Sequence, residues 1–278
     1  MGSSTIGNQI ARLGRVGARA VAAAVLLVLA SAPGAPLRAE EAPVVAAAAD
    51  LQFALADIAA AFRRETGASV TLTFGASGNL ARQIRQGAPY QLYLSADEAY
   101  VLDLAREGFT RGPGAVYANG RLVVFAPQGS PVAPDGSLDG LRGALNEGRV
   151  QAFAIANPEH APYGARAREA LRHAGLWEAV EPHLVYGENV AQAAQFATSG
   201  SADGGIFAHA LALSPAVGRL GRFALIPAAY HTPLRQRMVL LRPAGATAAR
   251  FYDYLQQPPA WALLDRYGFA RPDPQAGD

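Results

Sequence analysis

Ser77 lies in the stretch Thr73-Phe74-Gly75-Ala76-Ser77-Gly78-Asn79-Leu80, between a β-type run, Ser69 to Phe74, and a polar helical pattern, Asn79 to Gln86. Its hydroxyl can donate one hydrogen bond. N–H groups at a helix start lack intrahelical partners and carry partial positive charge, so a strand-to-helix turn is a natural seat for an anion. Gly75 and Gly78 let the backbone turn sharply and come close to a ligand. Such a turn tolerates alanine, so Ser77→Ala is expected to leave the unliganded fold about as stable as before. Alone, the stretch reads more readily as an ordinary turn, because glycine and serine are common turn formers.

Three more loops have the same form: Ala48-Ala49-Asp50, Tyr163-Gly164 and Glu188-Asn189-Val190. Each follows a strand-like run and opens a helical one, and none contains lysine or arginine. In open α/β sheets ligands bind outside the carboxyl ends of strands. Four helix starts converging there would hold an anion by dipoles and N–H groups rather than by counter-charges. Asp50 stands where an N-cap belongs, and its carboxylate is expected to accept from the N–H of Gln52 or Phe53. The other arrangement points that carboxylate into the cleft, where it would repel a dianion unless a proton is shared.

Catalysis has less support. Ser77 lacks the G-x-S-x-G elbow, and nothing in the sequence orients His160 or His209 toward it. The histidines show no i, i+4 ligand pair and there is no cysteine, so neither a zinc site nor a thiol nucleophile is expected. Asp57, Asp97, Asp203 and Asp253 fall at helix starts or on polar faces, where solvated carboxylates are usual.

The elements that must position these loops follow from periodicity. Val44 to Ala48 reads as a short buried strand; Leu55, Ile58 and Phe62 recur at helical spacing, and Gly67 ends that helix. Strands are expected at 69–74, 91–95, 122–126, 150–156, 184–186, 204–208, 223–226 and 237–241, with helices at 79–86, 97–107, 165–173, 190–198, 246–255 and 259–266. Asn119-Gly120 reads as a turn, and 127–140, rich in Pro, Gly, Ser and Asp, as a loop. Alternating strands and helices predict an α/β protein with mainly parallel sheets. A boundary near Ala126 and a return strand near Met238 divide the chain into one lobe of residues 40–125 and 233–278 and another of 126–232. A ligand is expected in the cleft between them.

With 278 residues, 51% hydrophobic and 17% charged, the chain is globular. Its formal net charge of +2 is too small to suggest nucleic acid as a partner. Arg12, Arg15 and Arg19 precede an apolar run, Ala20 to Ala32, too short for a comfortable membrane span. Residues 1–39 are therefore read as a cleaved export signal, with cleavage after Ala39.

Taken together, Ala47 to Leu51, Phe74 to Ile84, Gly87-Ala88-Pro89, Leu94 to Asp97, Asn157 to Gly164, Glu188-Asn189-Val190 and Phe251 to Phe269 resemble the periplasmic molybdate-binding proteins of ABC transporters. The resemblance covers nearly all of the chain beyond the signal. It implies a two-lobe type II periplasmic-binding-protein fold, closing on molybdate or tungstate as an oxyanion, with no catalysis, no cofactor and no directly coordinated metal ion. It implies a periplasmic monomer whose partner is an ABC transporter permease of the inner membrane. The ligand-binding positions it carries over are Asp50, Ser77, Tyr163 and Val190: Ser77 through hydroxyl and N–H, Tyr163 and Val190 through backbone N–H. Asp50 departs from the family pattern, where serine or asparagine stands. Another oxyanion, such as sulfate or a protonated phosphorus oxyanion, is the alternative ligand, and a secreted Ser/His hydrolase the alternative class.

Overall fold

The computed structural model describes residues 42–272. Two five-stranded sheets organise them. The first contains β1 (Val44–Ala48), β2 (Thr71–Gly75), β3 (Tyr90–Ser95), β4 (Ala115–Gly120) and β10 (Leu234–Leu240), in the order β2-β1-β3-β10-β4. The second contains β5 (Leu122–Pro127), β6 (Phe153–Ala156), β7 (Leu184–Gly187), β8 (Gly204–Ala208) and β9 (Gly221–Leu225), in the order β7-β6-β8-β5-β9. The helices are α1 (Gln52–Thr66), α2 (Ser77–Arg85), α3 (Glu98–Arg106), α4 (Asp139–Asn146), α5 (Pro162–His173), α6 (Trp177–Val180), α7 (Val190–Thr198), α8 (His209–Ala212), α9 (Pro215–Gly218), α10 (Ala246–Tyr254) and α11 (Pro258–Arg266). The export signal expected at 1–39 lies outside the described residues, among which no helix is long and apolar enough to cross a membrane.

Both sheets are mixed, by the same rule. β1 pairs in parallel with β2 and β3, whereas β10 pairs antiparallel with β3 and β4. β6 pairs in parallel with β7 and β8, whereas β5 pairs antiparallel with β8 and β9. One strand in each sheet thus runs against the other four, and each of these follows a strand of the other sheet. Only Arg121 separates β4 from β5. The turn expected at Asn119-Gly120 is instead the end of β4, and the expected boundary after residue 125 falls inside β5.

Side-chain alternation along the strands divides the first sheet's core in two. Val45, Leu92 and Leu94 face Leu55, Ile58 and Phe62 of α1 together with Phe251 of α10 and Leu264 of α11. Ala46 and Tyr93 face Leu80 and Ile84 of α2 and Val101 and Leu104 of α3. The second sheet packs on α5 and α7 through Ala167, Leu171, Ala193 and Ala197, and this core continues into Ala48, Ala49, Ala76 and Ala96 beside the first sheet.

Local chemistry explains most boundaries. Gly67 sits at φ 73° and its N–H reaches Arg63 O, closing α1 as expected. α2 starts two residues earlier than periodicity suggests, with Ala76 extended before Ser77. Part of the stretch read as a loop is α4; Asp135 ties its first turn by accepting from the N–H groups of Asp139 (3.1 Å) and Gly140 (2.7 Å).

Candidate functional site

A small cavity of about 10 Å³ lies where the first turns of α2, α5 and α7 meet the end of β1. Asp50, Ser77, Tyr163 and Val190 all line it, with Ala48, Ala49, Gly75, Ala76, Ala96, Ala161 and Pro162. The four positions proposed from sequence are thus brought together. No arginine or histidine lines the cavity.

Ser77 is the first residue of α2 and fully buried. Its Oγ accepts from Ala96 N–H at 3.0 Å, so its own hydrogen remains for an acceptor in the cavity. Its carbonyl accepts from Tyr93 OH at 2.8 Å, which ties the start of α2 to β3. The Ala96 bond changes the expectation for Ser77→Ala: the substitution orphans a buried N–H, so the unliganded fold should lose stability. Val190 opens α7, where Asn189 Oδ1 takes the N–H groups of Ala191 (3.0 Å) and Gln192 (3.1 Å). That cap fixes the first turn and leaves Val190 at the cavity wall.

Asp50 is not a cap. A 3₁₀ turn over Ala49–Leu51 precedes α1, the N-cap position falls on Leu51, and no side chain caps there. Two buried donors compete successfully for the carboxylate. Tyr163 OH donates to Asp50 Oδ2 at 3.0 Å and Gln236 Nε2 donates to the same oxygen at 2.6 Å. Oδ1 is buried without a partner. Burial raises the carboxyl from its ordinary 3.8 to about 6, against the hydrogen bonds from Gln236 and Tyr163 and the N–H groups of Asp50 and Leu51. Tyr163 contributes more than the backbone position read from sequence. Its ring is buried, and desolvation followed by the Asp50 charge pushes its hydroxyl well above 10.

Gln236 and Tyr117 were not anticipated. Tyr117 OH donates to Gln236 Oε1 at 2.6 Å, which turns the amide nitrogen toward Asp50. The available signal was the two-residue repeat of β10: Gln236 sits between Leu234 and Met238, all three buried, in a strand that the sequence reading began only at Arg237. Gly120 is part of the same cluster, since a Cβ there would lie 2.3 Å from Tyr163 Oη and 2.8 Å from Gln236 Nε2.

Outside the cavity, further contacts join elements of the two sheets. Gly78 N–H donates to His160 O at 2.9 Å, and Asn79 bonds Glu188. Arg166 Nη2 reaches Asp97 Oδ2 at 2.8 Å while its Nη1 reaches Glu169 Oε1 at 2.7 Å.

The profile of the family described as bacterial extracellular solute-binding protein matches residues 43–270. The chain is 34% identical over 259 residues to the molybdate-binding protein ModA of Rhodobacter capsulatus, covering 92% of this chain and 96% of that one. It is 34% identical over 231 residues to the protein of the same name from Escherichia coli K12, covering 81% and 87%. Its fold is similar to the solved structure of the Azotobacter vinelandii periplasmic molybdate-binding protein, with a TM-score of 0.76, 30% identity, and coverage of 83% of this chain and 100% of that one.

Proposed function

Because the chain belongs to the family of bacterial extracellular solute-binding proteins, we propose that it captures molybdate or tungstate in this cavity and delivers it to the permease of an ABC transporter. The observation that carries this reading is the convergence of Asp50, Ser77, Tyr163 and Val190 on one small cavity formed by helix first turns and lined by no cationic side chain. Helix first turns supply N–H donors and partial positive charge, enough to seat a tetrahedral oxyanion. In this reading Ser77 donates through its hydroxyl and N–H, and Tyr163 and Val190 through N–H. No group in it is placed to break a bond: the serine hydroxyl has no histidine beside it in the cavity. The protein acts in the periplasm as a monomer, after removal of residues 1–39. The two sheets serve as two lobes that close on the ligand, and the contacts from Gly78 to His160 and from Arg166 to Asp97 belong to the closed form.

The test is competition calorimetry with molybdate, tungstate, sulfate and phosphate. Molybdate or tungstate is expected to bind most tightly and to displace the others. Tighter binding of sulfate or phosphate would replace this reading with its nearest alternative, another oxyanion.

A further inference from the structure

The donors around Asp50 decide which of its two oxygens can carry a proton. Oδ2 already accepts from Tyr163 OH and Gln236 Nε2, and Gln236 cannot turn its oxygen to that position without losing the bond from Tyr117 OH. A proton on this carboxyl therefore resides on Oδ1. That oxygen is buried, has no partner in the protein, and belongs to a residue lining the cavity. We propose that the bound oxyanion shares one proton with Asp50 Oδ1, so that the site holds a dianion only together with a proton taken up from solvent. This rests on the reading of the cavity as an oxyanion site.

The alternative is a carboxylate and a dianion in contact in a dry cavity. The N–H groups of the helix first turns offset part of that repulsion, but no cationic side chain lines the cavity to offset the rest. The titratable groups facing Asp50 are Tyr163 of α5 and Tyr117 of β4, both pushed well above 10 by burial and so neutral. β10 brings the neutral Gln236, α2 brings Ser77 and α7 brings Val190. Burial has already raised the Asp50 carboxyl to about 6 despite the hydrogen bonds that lower it, and an adjacent dianion raises it further. The shared proton turns one repulsive contact into a hydrogen bond between Oδ1 and a ligand oxygen. Whether the proton is written on the carboxyl or on the oxyanion, the count is the same: one proton enters with each dianion.

The test is calorimetry with molybdate in buffers of different ionisation enthalpy, on the parent chain and Asp50→Asn. The parent should take up roughly one proton per ligand above neutral pH, and its affinity should fall by up to about tenfold per pH unit above ~6. In Asp50→Asn the amide oxygen must face Tyr163 and Gln236, so the amide nitrogen replaces Oδ1 as a permanent donor. That variant should bind without proton uptake, with affinity independent of pH, and near pH 8 should bind about ten- to a hundredfold more tightly than the parent. An affinity in the parent that is flat with pH, without proton uptake, overturns the proposal. So does an Asp50→Asn variant that keeps the parent's pH slope. Ser77→Ala in both backgrounds separates this from a failure of the site itself. Weakening by a similar factor in both leaves Asp50 as the question under test. If molybdate binds the parent at no pH, or Ser77→Ala changes nothing, the reading of the cavity as a molybdate site fails and the proposal falls with it.

Discussion

Ser77 Oγ accepts one hydrogen bond and keeps its own hydrogen to donate, and the two roles separate in measurement. The acceptor role is structural, because Ala96 N–H is buried and has Oγ as its partner. Ser77→Ala should therefore cost the unliganded protein about 1–3 kcal/mol, the usual penalty for an orphaned buried donor. In the proposed site the donor role is directed at the ligand. Its loss should weaken molybdate binding about ten- to hundredfold, as for a charge-assisted hydrogen bond. Chemical denaturation reads the first and calorimetry the second. Parent-like affinity in a folded variant would remove Ser77 from the site, whatever the stability shows. The sequence showed Ser77 as a donor but not its acceptor role, since Ala96 enters from a different strand end, 19 residues on.

At the scale of elements, the start of α2 explains a glycine that the sequence reading assigned to a sharp turn. Gly78 lies inside α2 and has no positive φ. Its requirement is close approach: a Cβ would lie 2.8 Å from His160 O and 3.0 Å from Tyr100 Oη. His160 precedes α5, beside the second sheet, so the clash with its carbonyl arises only when the two sheets' elements are together, whereas Tyr100 Oη is the far end of a side chain on α3 and can turn aside. Gly78→Ala should thus penalise the ligand-bound form selectively. Overpacking of this kind costs about 1–3 kcal/mol, or roughly five- to a hundredfold in affinity. The unliganded protein should be as stable as the parent or slightly more so, because alanine is the better helix residue. Calorimetry paired with thermal unfolding decides it; equal losses in affinity and in unliganded stability would mean that the contact persists without ligand.

For the whole molecule, the chain passes between the sheets twice, at Arg121 between β4 and β5 and again between β9 and β10. Two such crossings are natural hinges for lobe closure. The ion pair of Arg166 with Asp97 and the bonds of Gly78 and Asn79 link elements of the two sheets. Small-angle scattering should show a smaller radius of gyration with saturating molybdate than without. An unchanged profile, with binding confirmed by calorimetry, would reject closure on the ligand.

The amino-acid sequence by itself determined most of the element order, β4 and α4 excepted, and the loops whose helix starts meet at the cavity. Those signals are local: the two-residue repeat of strands, the 3.6-residue repeat of helices, Gly67 as a terminator and Asn189 as a cap. Resemblance across several short stretches also proposed Asp50, Ser77, Tyr163 and Val190 as one ligand site, and the four line one cavity. Tertiary structure alone decided what Asp50 does. A local rule makes an aspartate before a helix a cap, yet its partners Tyr163 and Gln236 lie 113 and 186 residues away along the chain. It likewise decided that β5 and β10 run against their sheets, because strand direction depends on which sheet the preceding strand belongs to. A buried carboxylate takes the donors that folding brings to it, and no spacing along the chain records those.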